Sequence, residues 1–170
     1  MQPVSMKNHT KYRPFPPVPL ENRQWPNRTI TEAPEWVSVD LRDGNQALEV
    51  PMSLAQKLQF FDYLVKVGFR TIEISFPASS DTDFALTRAL IEQDRIPDGV
   101  AIQVLTQSRD HIIARTFEAL RGAKEAVVHL YNSTSTLQRD VVFGFDRKAC
   151  IDLAVYGAKQ IKEYVDADSE

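Results

Sequence analysis

From Trp36 onward the chain switches between two hydrophobic periods. Trp36–Leu41 (WVSVDL) alternates every second residue and predicts a strand. Pro51–Val67 predicts a helix: Leu54, Leu58, Phe61 and Val65 repeat at 4, 3, 4 spacing and form one apolar stripe. Ser53 can cap that helix with Gln56 as the return partner of a capping box, and Gly68 stands where a left-handed residue ends it. Thr71–Phe76 (TIEISF) predicts a second strand, stopped by Pro77. Ser80 with Asp83 opens a second helix, running to about Gln93. Ile96–Gly99 has turn chemistry, and Val100–Leu105 (VAIQVL) predicts a third strand. Asp110–Leu120 predicts a third helix with Ile113, Phe117 and Leu120 on one side, punctuated by Gly122. Ala126–Tyr131 (AVVHLY) predicts a fourth strand. After a polar stretch, Arg147–Val165 predicts a fourth helix with Ile151, Val155, Ala158, Ile161 and Val165 in register, before the short acidic run Asp166–Glu170.

The order β-α-β-α-β-α-β-α with short connections implies a parallel sheet covered by helices. Two architectures compete. A doubly wound sheet normally uses its first βα turn as a glycine-rich phosphate loop. Here that turn is Asp40-Leu41-Arg42-Asp43-Gly44-Asn45-Gln46, which matches neither GxGxxG nor GxxxxGK. A (β/α)8 barrel needs ~250 residues, and four units make half of one.

Composition narrows the class. The chain has 170 residues, 43% hydrophobic and 25% charged, as a globular domain does. A net charge of −3 argues against a general nucleic-acid binder. No apolar run approaches the ~18 residues of a membrane span, so no membrane association is expected. The N-terminus has no apolar secretory core, and the lone Cys150 cannot form an intrachain disulfide; both lead us to expect a reduced, cytoplasmic setting. Residues 1–30 differ from the rest. They hold six of the ten prolines and five basic residues against Glu21 alone. That density excludes a helix or central strand. We read 1–30 as an extended arm and 31–170 as the folded part. Pro14–Pro17 and Pro16–Pro19 also fit the PxxP spacing of an SH3-type ligand. Tyr12, Phe15 and Trp25 suit an arm lying against its own domain or a partner subunit.

In either α/β architecture the site lies at the carboxyl ends of the strands. The first strand leads into Arg42 and Asp43. The second carries Glu73 and exits at Phe76-Pro77. The third ends at Leu105, beside Gln103 and Thr106. The fourth carries His129, then Tyr131, Asn132 and Ser133. Each has a plainer explanation: a surface turn for Arg42 and Asp43, an internal salt bridge for Glu73, a hydrogen-bonded core residue for His129. An unpaired carboxylate in an apolar strand is costly, so Glu73 requires a partner in any case. The chemistry that fits is metal-assisted enolate chemistry on a keto acid. Asp43 can supply an oxygen ligand to a hard cation, and Arg42 can hold a carboxylate or an oxyanion. One acid does not make a metal site, however, and the three histidines, His9, His111 and His129, are scattered.

Asp40–Gln46 (DLRDGNQ) resembles the L-R-D-G-x-Q signature of the metal-dependent Claisen-condensation and lyase family of TIM barrels. Within that family, the arm and first strand look most like those of the 2-isopropylmalate synthases. So do GFRTIEISFPASSDTDF, IQVLTQSR, RTFEALRGAKEAVVHLYNSTS and LQRDVVFG, and the likeness covers residues 11–165. The resemblance implies a TIM (β/α)8-barrel fold, of which this chain covers an N-terminal arm and about the first four βα units. It implies condensation of acetyl-CoA with 3-methyl-2-oxobutanoate, giving 2-isopropylmalate and CoA in leucine biosynthesis. It makes Asp43 a ligand of Mg²⁺, Mn²⁺ or Zn²⁺ and Arg42 the catalytic arginine. Gln46 and Glu73 become supporting polar residues, and Leu105 and His129 the lining of the keto-acid pocket. The arm matches one that helps form a homodimer.

The family's H-x-H metal ligands, its acetyl-CoA determinants and its leucine-sensing domain come from sequence that follows these units. We therefore expect an N-terminal portion of a longer enzyme, inactive by itself. Two alternatives stay open: a sibling citramalate or homocitrate synthase, and a truncated non-catalytic relative that pairs with a full-length subunit.

Overall fold

The computed structural model describes residues 32–168, together with Arg13, Pro16 and residues 19–22. The PxxP spacings and the arm aromatics Tyr12, Phe15 and Trp25 lie outside the described residues. The chain divides into two units, Met1–Pro34 and Glu35–Glu170. In the first, the described stretch turns at Glu21-Asn22. The account below concerns the second.

Eight regular elements alternate in it: β1 (Val37–Ser38), α1 (Leu54–Val67), β2 (Thr71–Ser75), α2 (Asp81–Glu92), β3 (Ala101–Gln107), α3 (Asp110–Leu120), β4 (Ala126–Tyr131) and α4 (Arg147–Asp168). Short π-helical turns occupy Asp40–Gly44 and Gln138–Phe143. Local sequence explains most boundaries. Ser53 Oγ accepts from Gln56 N while the Gln56 side chain accepts from Ser53 N at 2.9 Å, which completes the capping box of α1. Gly68 closes α1 at φ 108°, a conformation that strains any residue with a Cβ.

All strand pairs are parallel, and the sheet order is β1-β2-β3-β4. A doubly wound sheet reverses its order at a switch point. This sheet advances by one strand at each βα step, as a (β/α)8 barrel does, and the described part is an open section of one. The helices cover one face. There Phe61, Ile72, Ile74, Leu86, Leu90, Ile102 and Val104 are fully buried, with Leu64 and Leu120 beside them. On β3, Ile102, Val104 and Thr106 take this side, and Gln103, Leu105 and Gln107 take the opposite, concave face. The pairing of β2 with β3 skips at Ile74, from Glu73↔Gln103 to Ser75↔Val104. This bulge turns Ser75 toward α2, where its hydroxyl meets Thr87 Oγ1 at 2.9 Å.

Three expectations need correction. The strand expected over Trp36–Leu41 pairs only at Val37–Ser38. Beyond it, Asp43 N and Gly44 N both bond Val39 O, at 2.9 and 3.1 Å, and wind the chain into the π-helical turn. The turn drives Leu41 into the core and moves Arg42 toward β2, so burial and ion pairing override the alternation. The stretch before α4, expected as polar loop, contains the second π-helical turn. It leaves Leu137, Val141 and Val142 exposed, so no amphipathic period marked it.

The apolar stripe of α4 does not face inward either. Ile151 is 62% exposed, and Val155, Ala158 and Val165 are exposed as well; only Ile161 is partly covered. The buried face instead holds Cys150 and Gly157. A Cβ on Gly157 would sit 2.8 Å from Ser108 Cβ and 3.2 Å from its Cα. Backbone approach at the one glycine of the helix decides which side of α4 turns inward. Tyr164 continues this contact by stacking on Phe117 at 4.7 Å.

Gly157→Ala should therefore force α4 away from Ser108 and cost about 1–3 kcal/mol of stability, as overpacking does. Urea unfolding monitored by far-UV circular dichroism measures it, and an unchanged midpoint would refute this packing.

Candidate functional site

Glu73 is the centre of the site. It sits in the middle of β2, flanked by Ile72 and Ile74, and its side chain is 0% exposed. Three donors reach it from three other segments. Arg42 Nε, from the π-helical turn after β1, bonds Oε1. Gln103 Nε2, from β3, bonds Oε2. His129 Nδ1, from β4, meets the same Oε2 at 2.7 Å. Parallel pairing in sequential order places these groups side by side on the concave face.

Burial pushes the Glu73 carboxyl up. The hydrogen bonds from Gln103, His129 and Arg42 and the Arg42 charge outweigh it and hold the group below its ordinary value of 4.5. Arg42 is anchored twice, since its Nη1 also donates to Asp43 Oδ1 at 2.6 Å. Its Nη2 makes no hydrogen bond among the described residues. A guanidinium held at two corners with the third open suits recognition of a carboxylate or a developing oxyanion.

The other expected residues fall around this cluster. Asp43 lies at the rim with its side chain 62% exposed; Oδ1 is taken by Arg42, and Oδ2 has no partner among the described residues. Leu105 is buried and pairs in register with His129 on β4. Gln46 joins no bond of the cluster. It lines a cleft of about 550 Å³ whose walls include Arg42, Asn45, Lys57, Ser80 and Asp83. Thr106 does not belong to the site: it faces α3 and accepts from Thr116 Oγ1 at 3.1 Å. Tyr131 stands at the concave rim, where its hydroxyl accepts from Gln107 Nε2 at 2.6 Å.

Two pairings escaped the sequence reading. Gln103, read there only as a residue beside the end of the third strand, is a direct partner of Glu73; the signal was a lone amide at an inward position of VAIQVL, matching the lone acid of TIEIS. The second is the ion pair between Lys57 and Asp83 beneath the cleft. Lys57 is 1% exposed although it sits on a helix, and Asp83 Oδ2 also accepts from Phe76 N at 3.0 Å. No local pattern announces a pair 26 residues apart.

Among the described residues no group of three His, Cys, Asp or Glu side chains converges on a point where a metal could sit. Asp43, with one uncommitted oxygen, can offer a single ligand. A hard cation takes about six, some of them water, so these residues do not compose a metal centre by themselves.

Residues 33–168 match the HMGL-like family. The chain belongs to that family. The HMGL-like fold accounts for the sequential parallel sheet. Several curated relatives are similar over nearly the whole chain. A 2-isopropylmalate synthase of Acetoanaerobium sticklandii is 64% identical over 156 residues, which are 92% of this chain and 28% of that protein. Others with the same name, from a Parafrankia strain and from Rhodospirillum rubrum, are each 59% identical, over 92% and 90% of this chain. The HMGL-like chain thus spans little more than a quarter of these relatives. No helix among the described residues is long and apolar enough to cross a membrane.

The depressed Glu73 carboxyl sets an acid limit on stability. Above 4.5 the group is ionised in both folded and unfolded chains, and its native partners contribute fully. Below that value the unfolded chain takes up the proton first, so stability falls as pH drops toward the folded-state value. Denaturation midpoints measured between about pH 3 and 6 should show this loss, and Glu73→Gln should flatten it. An unchanged slope in that variant would show that other carboxylates govern the acid limb.

Proposed function

We propose that this chain is the segment of a 2-isopropylmalate synthase that carries the keto-acid side of the active site. The reaction is condensation of acetyl-CoA with 3-methyl-2-oxobutanoate, giving 2-isopropylmalate and CoA in leucine biosynthesis. One observation carries the reading: the Arg42–Glu73–His129 cluster gathers on the concave face of the sheet within a stretch 64% identical to a protein of that name.

Arg42 has the central task. Glu73 and Asp43 fix its Nε and Nη1, which leaves Nη2 to bind the keto-acid oxygens. Its charge stabilises the alkoxide that forms when the keto carbon is attacked. Leu105 and His129 line the pocket for the branched substituent, and Gln46 adds a polar group beside Arg42. Asp43 supplies one of several ligands to Mg²⁺, Mn²⁺ or Zn²⁺. Such a cation polarises the keto carbonyl as a Lewis acid when bound. The proline-rich arm serves a homodimer, and the setting is cytoplasmic.

A chimera tests the reading. These residues replace the corresponding 156-residue stretch of the Acetoanaerobium sticklandii synthase, and CoA thiol release is followed with 3-methyl-2-oxobutanoate, pyruvate and 2-oxoglutarate. We expect 3-methyl-2-oxobutanoate to be preferred. Arg42→Ala should lower kcat by about 10²–10³, the usual loss for one oxyanion donor. The 170-residue chain alone should release no CoA. A folded chimera that prefers another keto acid would move the protein to a sibling synthase.

A further inference from the structure

We propose that Lys57 and Asp83 are positioning residues for substrate: their buried ion pair fixes the wall of the cleft that adjoins Arg42, and so sets how tightly the keto acid binds without touching it. This rests on the condensing function proposed above. The cleft of about 550 Å³ takes its lining from two βα connections, Asn45 to Ser53 after β1 and Phe76 to Asp83 after β2, with Arg42 and Lys57 beside them. Each connection is fastened within itself. Met52 N donates to Asn45 Oδ1 at 2.8 Å and closes the first. In the second, Ser79 N and Ser79 Oγ donate to Phe76 O at 2.9 and 2.8 Å, and Phe76 N donates to Asp83 Oδ2 at 3.0 Å. The Lys57–Asp83 pair ties α1, and with it the first connection, to the second.

Helix electrostatics accounts for only half of this pair. Asp83 lies in the first turn of α2, where a carboxylate is favoured. Lys57 stands near the capped start of α1, the end of a helix at which a cation gains nothing from the dipole. Stability does not account for it either. The two side chains are 2% and 14% exposed, and a pair so far from water is often no more stabilising than apolar residues of the same shape.

What the pair supplies is direction. One oxygen of Asp83 takes the ammonium while the other takes the amide of Phe76, so any shift of α1 is passed to the first residue beyond β2. Phe76 lines the cleft together with Arg42, the residue whose Nη2 is left for the keto-acid oxygens. The pair thus acts on the substrate through Phe76 and the turn that follows it.

Lys57→Met tests this, because it removes the charge and keeps most of the stem. In the 170-residue chain, amide hydrogen exchange followed by NMR reads the wall directly. We expect Phe76 to exchange at least about tenfold faster, while Ile102 and Val104 in β3 keep their rates. Unchanged protection of Phe76, or equal acceleration throughout the sheet, would overturn the proposal. In the chimera, KM for the keto acid should rise about tenfold with kcat within about threefold. A KM within about threefold of that of the unmodified chimera, or a loss confined to kcat, would reduce the pair to a structural role. If Lys57→Met does not fold, Lys57→Met with Asp83→Asn takes its place, since it leaves no unpaired charge and keeps an acceptor for Phe76 N. An inert unmodified chimera counts against the condensing function instead, and hydrogen exchange then still decides whether the pair holds the wall.

Discussion

A charged carboxylate inside an apolar strand is the constraint to which the concave side of this structure answers. Glu73 would be expensive to bury alone, and three segments each deliver a donor to it. Breaking a buried pair of this kind typically costs ~3–5 kcal/mol, because the remaining charge is left uncompensated. The same requirement ties β2 to β3, to β4 and to the π-helical turn after β1. Strand register and site geometry are thus linked: slipping any of these pairings would strand the carboxylate. The internal salt bridge expected as the plainer reading of Glu73 is present, and it fixes the direction of Arg42.

The opposite face obeys simpler rules. Aliphatic side chains of β2 and β3 meet the stripes of α1, α2 and α3, and polar contacts there are small and paired, as with Ser75–Thr87 and Thr106–Thr116. Lys57 is the exception. Its side chain is buried and its ammonium is matched by Asp83, which also receives Phe76 N. One pair thereby joins α1 to the loop that leaves β2 beside the cleft.

Legibility followed the range of the forces involved. Helices and strands written by local periodicity were readable: the capping box of α1, Gly68, the stripe of Ile113, Phe117 and Leu120, and the four strand centres. Arg42 and Glu73 were readable because a charge at a strand end or in a strand core asks for an explanation. What failed depended on distant contacts. The early end of β1 reflects Leu41 reaching the core and Arg42 reaching Glu73. The inward face of α4 was decided by Ser108, far away in sequence, and Gly157 is silent on any hydrophobic scale. Gln103 and Lys57 gained their roles from partners 30 and 26 residues away.

The sequential strand order also has a kinetic side. Each strand pairs with the one before it in the chain, as Thr71 does with Val37, Ala101 with Thr71 and Ala126 with Ile102. No pairing within the sheet must wait for a strand made much later. Each parallel pairing waits on the closure of one βα unit, whose entropic cost grows only slowly with its length. The sheet can be laid down in the order of synthesis, growing at one edge. Glu73 then acquires its partners in turn: Arg42 first, Gln103 next and His129 last, so its set of donors is filled only when the fourth strand docks.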